Sequence, residues 1–115
     1  MSGNLCYFEI PSKDLGKAEE FYKTVFGWKF NKEESSPNYS SFETSNPPHG
    51  GIEKMEPFNN GVVIYIQVDD VAETLRKIKD AGGNIVREKT EIPNIGYFGL
   101  LADPDGNIMG IFQNK

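Results

Sequence analysis

Two short segments of this sequence place a tyrosine two residues before a hydrogen-bond acceptor: Tyr7 precedes Glu9, and Tyr65 precedes Gln67. Both segments follow the alternating pattern of a β-strand, so the two members of each pair share one face. A tyrosine hydroxyl donates to a ligand carbonyl, and a glutamate in a buried setting serves as a base. We therefore predict catalytic roles for Glu9 and Tyr65. The alternative is that these side chains only fill and solvate a half-open sheet.

The elements that carry these pairs occur twice. Asp14 and Asp70, 56 positions apart, each begin a helical pattern. Each helix follows one strand pattern and precedes three more, which indicates a duplicated unit. The predicted strands are Leu5–Ile10, Trp28–Asn31, Asn38–Thr44, Gly51–Met55, Val62–Val68, Asn84–Arg87, Tyr97–Ala102 and Asn107–Gln113, and the helices run from Leu15 to Phe26 and over Val71–Ala81. The prediction is one α+β domain over 1–115, with module one at about 4–56, a link, and module two at about 61–114.

Charge and composition exclude several partners. The net charge is −5 with no basic run, which argues against nucleic acid and against an anionic membrane. The longest apolar run, Val62–Ile66, is far shorter than the roughly 20 residues that a membrane helix needs. The N-terminus lacks the pattern of a signal peptide, and a single cysteine, Cys6, cannot form an internal disulfide. We expect a cytoplasmic protein.

Three stretches of the sequence carry a family resemblance. FEIPSKDLGKAEEFYKTVFGWKF, VDDVAETLRKIKDAGGNIV and LADPDGNIMGIFQ resemble the vicinal oxygen chelate superfamily of glyoxalases, bleomycin-resistance proteins and dioxygenases. The resemblance covers nearly the whole chain and is greatest to small glyoxalase-like proteins. It implies paired β-α-β-β-β modules whose eight strands form an open mixed sheet around a cleft. Small members are usually dimers, so the resemblance also implies a homodimer.

Metal-using members of the family hold a divalent ion with four side chains. Carried over to this chain, the first-strand position falls on Leu5, or on Tyr7 by a gapless count, the fifth-strand position on Val63, and the last-strand position on Gly110. The fourth-strand position is ill-defined, and Glu53 is the nearest candidate. Leucine, valine and glycine side chains offer no lone pair to a cation. We therefore predict neither a metal nor another cofactor.

The only histidine, His49, stands in a Pro-Pro-His-Gly-Gly segment. We interpret it as a structural or solvent-facing loop residue; the alternative is a ligand or a base near the cleft. His49 and Glu53 are the only weak candidates for a metal site.

If Leu5 and Val63 point into the cleft, strand alternation brings further residues to the same side. Gly110 would leave room there for a ligand atom. The predicted lining, aromatic with a few polar tips, is typical of a small-molecule site. Besides Glu9 and Tyr65 it consists of Tyr7, Gln67, Trp28, Tyr97, Gly110 and Phe112.

Three functions remain open. The first is a glyoxalase-like protein that binds a small organic ligand in a metal-free aromatic cleft, with or without lyase or isomerase chemistry. The second is a sequestering protein of the bleomycin-resistance type, which suits a cationic ligand because the chain is acidic. The third is a divalent-metal lyase or dioxygenase with the non-standard ligands Glu53, Glu9 and His49.

Overall fold

A computed structural model describes residues 3–56 and 61–115. The fold is α+β, with two helices and eight strands of a mixed, open sheet, as the sequence predicts. The predicted link between the modules lies partly outside the described residues, since it includes 57–60. The elements are β1 Leu5–Ser12, α1 Leu15–Phe26, β2 Lys29–Ser36, β3 Tyr39–Glu43, β4 His49–Lys54, β5 Val63–Gln67, α2 Val71–Asp80, β6 Asn84–Ile92, β7 Gly96–Ala102 and β8 Ile108–Asn114.

Contacts divide the chain into two compact units. The first unit is residues 7–63, and the second unit is residues 64–115 together with the N-terminal segment up to Cys6. The strand order is β2-β3-β4-β1 in one and β6-β7-β8-β5 in the other. In both, the strand before the helix pairs in parallel with the last strand of the set, and the other pairs are antiparallel. The prediction that each half reads strand, helix and three strands is therefore confirmed.

The core of the first unit is aromatic. Trp28 stacks on Phe42 with 4.4 Å between ring centroids and on Tyr22 of α1 with 5.0 Å. Phe8 of β1 meets Phe42 edge-on at 5.5 Å. Phe42 and Ile52 are buried, being 1% and 0% exposed. The face of β1 that carries Phe8 therefore packs toward α1, because Tyr22 and Phe8 both contact Trp28.

The core of the second unit is aliphatic. Val71 and Leu75 of α2 are 0% and 2% exposed and pack with residues of β7 and β8. Asp70 caps α2 by accepting a hydrogen bond from the Glu73 amide at 3.0 Å, as expected of an aspartate before a helix. The Val71 amide donates to Gln113 Oε1 of β8 at 2.8 Å, which ties the start of the helix to the sheet.

Several strands are longer than predicted. β1 continues through Pro11, which pairs with Glu53, because the fixed φ of proline suits an extended strand end. β2 extends to Ser36 and β6 to Ile92. Register irregularities interrupt both strands, between 31 and 36 in β2 and between 85 and 90 in β6. A bulge breaks the two-residue alternation, which is why the pattern did not reveal these extensions.

The described helices are short. α1 has 12 residues and α2 has 10. Within the part of the chain that the structure describes, neither helix is long and apolar enough to cross a membrane.

Candidate functional site

Three polar side chains of the first unit form a hydrogen-bonded array. The Tyr39 hydroxyl of β3 donates to Glu9 Oε2 of β1 at 2.9 Å, and the Tyr7 and Tyr39 hydroxyls are hydrogen-bonded to each other. A carboxylate only accepts, and a tyrosine has a single hydroxyl proton. Because Tyr39 gives its proton to Glu9, Tyr7 is the donor to Tyr39. The result is a directed chain of donors that ends on the Glu9 carboxylate, which we call the Tyr7–Tyr39–Glu9 array.

Both tyrosines of the array remain protonated at neutral pH. Burial raises the pKa of Tyr7 to about 12. Burial raises the pKa of Tyr39 as well, and the nearby negative charge of Glu9 adds to that rise. A phenolate beside a carboxylate in a half-buried position is disfavoured by both effects. The array therefore keeps its donor direction over the physiological range of pH.

Gly51 makes room for Tyr39. It lies on β4, where it pairs with Glu9 on one side and Ser41 on the other. A Cβ atom placed on Gly51 would lie 2.1 Å from the Tyr39 hydroxyl oxygen and 2.3 Å from Cζ. Any side chain at this position would therefore displace the ring. The glycine allows the tyrosine to lie flat on the sheet within reach of Glu9.

Tyr39 is the functional residue that sequence reasoning missed. The strand prediction over 38–44 included it, but the polar middle of that segment, Ser40 and Ser41, hid the alternation. A signal was present nonetheless. Gly50 and Gly51 are adjacent glycines in the next strand, and glycine within a strand often marks the close approach of another group.

A tyrosine also covers a glycine in the second unit. Tyr65 of β5 pairs with Gly110 of β8 and is 7% exposed. A Cβ placed on Gly110 would lie 2.3 Å from Tyr65 Cε2 and 2.4 Å from Cδ2. The prediction that Gly110 leaves room for a ligand atom is therefore wrong, because the Tyr65 ring already occupies that space.

The other side chains near Tyr65 are mainly aromatic. The Phe98 ring lies 6.5 Å from the Tyr65 ring, and Phe98 pairs with Phe112 across β7 and β8. Gln67 pairs with Phe112 across β5 and β8. The Arg87 guanidinium lies 5.4 Å from the centre of the Phe98 ring. The structure thus brings Tyr65, Gln67, Gly110 and Phe112 together on one face of the second unit, and it adds Phe98.

Trp28 and Tyr97 do not join these groups. Trp28 precedes β2 and packs with Phe8, which alternates with Tyr7 on β1 and therefore faces the other side of the sheet. Tyr97 packs against the aliphatic core of the second unit, with the Lys89 ammonium 4.4 Å from its ring centre. The prediction that both residues line the site is contradicted by these contacts. The position of each residue in the strand alternation, and not its aromatic character, decides which face of the sheet its side chain lies on.

The positions to which the family resemblance assigns a metal do not fit one here. Val63 is buried and apolar, with 5% exposure, and Gly110 lies under the Tyr65 ring. Leu5 offers no donor atom, and the Tyr7 hydroxyl is engaged in the array. Over residues 3–56 and 61–115 there is no group of three or more His, Cys, Asp or Glu side chains able to hold a metal ion. The donor set is chemically unsuited to a divalent cation.

Strand register bears on the ill-defined fourth-strand position. On β8, Gly110 is the partner of Tyr65, two residues beyond Val63. If Leu5 matches Val63, the corresponding β4 residue is His49, which is the partner of Tyr7. If instead Tyr7 matches Val63, the corresponding β4 residue is Gly51, which is the partner of Glu9. Neither choice reaches the exposed Glu53.

His49 is a strand residue rather than the loop residue that we predicted. It begins β4, and its Nδ1 accepts a hydrogen bond from the Thr44 amide at 3.1 Å. The neutral ring that makes this bond carries its proton on Nε2. The turn that precedes β4 contains a cis peptide bond between Pro47 and Pro48.

Comparison with known proteins identifies the family. The sequence profile of the Glyoxalase/Bleomycin resistance protein/Dioxygenase superfamily matches residues 4–111. The chain belongs to this superfamily. A glyoxylase-like domain-containing protein of Didymella fabae is 28% identical over 96% of this chain and 94% of its own length. A lactoylglutathione lyase of Haemophilus influenzae is 26% identical over 89% of this chain and 86% of its own length.

A longer relative and a solved structure complete the comparison. CFP32 of Mycobacterium bovis, whose name includes the word glyoxylase, is 31% identical over 97% of this chain, which spans 44% of that protein. A superfamily member from Vibrio splendidus has the same fold, with a TM-score of 0.73 and 14% identity over 98% of this chain and 100% of the other. The predicted family and fold are confirmed by these matches.

Proposed function

We propose that this superfamily member binds a small carbonyl-bearing organic ligand at the Tyr7–Tyr39–Glu9 array and acts on it, without a metal, by proton transfer through Glu9. The observation that carries the proposal is the array itself, in which two protonated tyrosines form a chain of donors that ends on one carboxylate. Small-molecule sites fix their ligand with a few convergent polar groups, and the array brings three such groups together. Glu9 keeps its predicted catalytic role and Tyr7 its predicted ligand-site role in this proposal, whereas the roles predicted for Tyr65, Gln67 and Phe112 belong to the second unit and stay predictions.

The chemistry that we propose is an isomerase or lyase step. Glu9 removes a proton from the carbon next to the ligand carbonyl, and the electron pair of that C–H bond moves toward the carbonyl oxygen. The same proton then returns to the former carbonyl carbon, and the hydroxyl proton of the first carbon passes to the former carbonyl oxygen, so the product is an isomer of the ligand. No oxidant or reductant is consumed. When the ligand binds, the carbonyl oxygen replaces Tyr39 as the acceptor of the Tyr7 hydroxyl proton, and this hydrogen bond stabilises the charge that develops on that oxygen.

The hemithioacetal of methylglyoxal and glutathione is the probe for this proposal, because relatives of this chain are named lactoylglutathione lyase. Turnover is measured on chelator-treated protein, for the wild type, for Glu9→Gln and for the control Glu53→Gln. Both variants remove one carboxylate, but Glu53 is exposed on β4 and outside the array. We expect turnover that survives the chelator, falls by about 10²-fold or more in Glu9→Gln, and is unchanged in Glu53→Gln.

Two results would overturn this proposal. Turnover that vanishes with the chelator and returns with a divalent ion would identify a metal enzyme, for which Glu53, Glu9 and His49 are the ligands to test. Equal turnover in the wild type and Glu9→Gln would remove Glu9 from the reaction.

The second candidate is a sequestering protein without chemistry. The net charge of −5 and the aromatic rings near Tyr65 favour a cationic, partly apolar ligand. Stoichiometric binding with no turnover, indifferent to Glu9→Gln, would support this candidate over the first.

We also propose that the chain is a cytoplasmic homodimer. Three apolar side chains of α1, Phe21, Val25 and Phe26, are 55%, 55% and 59% exposed, which is unusual for large residues so close together. A second copy of the chain would cover them. Light scattering on the wild type and on Phe21→Ser with Val25→Ser tests this: we expect a dimer mass that falls to a monomer mass in the double variant.

A further inference from the structure

The first unit has a cavity away from the array, between α1 and the β2-β3 hairpin. Its volume is about 420 Å³, within the roughly 300–1,000 Å³ that is usual for small-molecule sites. Three apolar side chains and five polar ones line it: Leu15, Phe30 and Pro37, and Glu19, Lys32, Ser35, Ser36 and Ser40. Ser40 belongs to the buried face of β3, opposite in alternation to Tyr39, so this cavity and the array lie on different sides of the strand.

Glu19 is the one carboxylate in this lining, and a hydrogen bond to one of its two oxygens holds it in place. The Ser40 hydroxyl, on a residue that is only 2% exposed, donates to Glu19 Oε2. The other oxygen, Oε1, lies 3.9 Å from the Lys32 ammonium. A buried serine thus fixes the carboxylate and leaves Oε1 available to a cation at the cavity.

Lys32 shows what kind of group this carboxylate accepts. Its side chain is 84% exposed, whereas that of Glu19 is 28% exposed, so the lysine can swing into solvent at little cost. A ligand ammonium can therefore replace it at Glu19. The net charge of −5 favours cations at every exposed carboxylate, and Glu19 adds to this a fixed position.

The apolar part of the lining lies beside Glu19. Leu15 precedes Glu19 by one helical turn, so the two side chains share a face of α1. Phe30 packs on the buried Phe42, with 5.6 Å between ring centroids, which fixes its ring. The hairpin keeps its irregular shape because the Ser35 hydroxyl donates to the Asn31 carbonyl at 2.6 Å. The apolar part of a ligand can pack against Leu15 and Phe30 while its charged end reaches Glu19.

We infer that this cavity binds a small organic amine, with its ammonium group on Glu19 and its apolar body against Leu15, Phe30 and Pro37. The inference is independent of the proposed function, since the two sites use different faces of the first unit.

Benzylammonium is the probe, and benzyl alcohol is its uncharged comparison. Binding is followed by ¹⁵N–¹H correlation spectra, which place the ligand by the amides that shift. We expect shifts at Ser35, Ser36 and Ser40 and about tenfold tighter binding of the ammonium than of the alcohol, as one charge-assisted hydrogen bond provides.

Paired variants separate this site from general attraction to a negative protein. Glu19→Gln and Glu20→Gln remove the same charge from adjacent positions of α1, but Glu20 is exposed and bonds to Thr24. We expect about tenfold weaker binding in Glu19→Gln and no change in Glu20→Gln. Lys32→Gln should tighten binding severalfold because it removes the internal competitor, whereas Lys29→Gln should not.

Several results would overturn the inference: equal affinity for benzylammonium and benzyl alcohol, equal loss in the two glutamate variants, unchanged affinity in Lys32→Gln, or amide shifts that spare both α1 and the hairpin. If Glu19→Gln fails to fold, the Lys32→Gln result and the alcohol comparison decide the matter by themselves.

Discussion

The two units repeat one arrangement of strands but place different chemistry on it. In both, a tyrosine ring lies over a strand glycine: Tyr39 over Gly51 and Tyr65 over Gly110. In the first unit the ring ends in hydrogen bonds to Glu9 and Tyr7, whereas Phe98 lies beside the ring in the second. The shared feature is a backbone property, which the fold sets. The differing feature is the set of side chains beside the ring, which gives each unit its own chemistry.

The two helices differ in how deeply their side chains are buried. α2 buries Val71 and Leu75, whereas no residue of α1 is fully buried and Phe21, Val25 and Phe26 are largely exposed. The first unit instead draws its packing from rings beneath the helix, among them Trp28 and Phe42.

The largest expected effect tests this difference between the helices. Leu75→Ala should lower the free energy of unfolding by about 2–5 kcal/mol, because it leaves a cavity in a core where Leu75 is 2% exposed. Val25→Ala, at a position 55% exposed on α1, should cost less than about 0.5 kcal/mol in the monomer. Urea unfolding measures both. Similar losses would show that α1 is as well packed as α2.

Tyr39→Phe tests the polar array. It keeps the ring over Gly51 but removes the hydroxyl that joins Tyr7 to Glu9. A hydrogen bond to a charged group contributes about 1.5–3 kcal/mol, so a loss of this order in the free energy of unfolding is expected. Tyr22→Phe, which keeps the stack on Trp28, serves as the control. Equal small losses would mean that the array does not hold the strands together.

Gly51→Ala and Gly110→Ala test whether the two ring-over-glycine contacts are equivalent. In each unit the new methyl group would lie within 2.3 Å of a tyrosine atom, so the ring must move. Overpacking of this kind costs about 1–3 kcal/mol. In the first unit the cost should shrink when Tyr39→Ala is added, as a double-mutant cycle would show. Additive losses would contradict the proposed contact.

The last effect is a dependence on alkaline pH, which is absent at neutral pH. Tyrosine in an unfolded chain has a pKa of about 10, and burial raises the pKa of Tyr7 to about 12. Between these values the unfolded chain loses the proton and the folded chain keeps it. The free energy of unfolding should therefore fall as pH rises from about 10 to about 12, and it should be unaffected by Tyr7 below that window. Tyr7→Phe should flatten the fall; an unchanged slope would place Tyr7 in water.

The fold was predictable because alternation and helix caps are local signals. Asp14 and Asp70 cap helices where the sequence placed them, and the predicted strands Tyr97–Ala102 and Asn107–Gln113 correspond to β7 and β8. The site was less accessible. Strand alternation correctly grouped Tyr7 with Glu9, but the partner of both, Tyr39, lies 30 residues beyond Glu9 and comes from register alone. Trp28 and Tyr97 were misplaced because aromatic character does not specify a face.

The Tyr65 ring over Gly110 also limits how this protein could change in evolution. A single replacement of Gly110 by glutamate would put a carboxylate at the position to which the family resemblance assigns a metal ligand, but its Cβ atom would collide with the Tyr65 ring. Tyr65 would have to shrink first, and that step alone would open a void in a tightly packed region. A carboxylate at this position therefore requires two substitutions in a fixed order, the first of them costly by itself. Because the Tyr65 ring covers it, Gly110 is harder to replace than a bulky residue that faces open space.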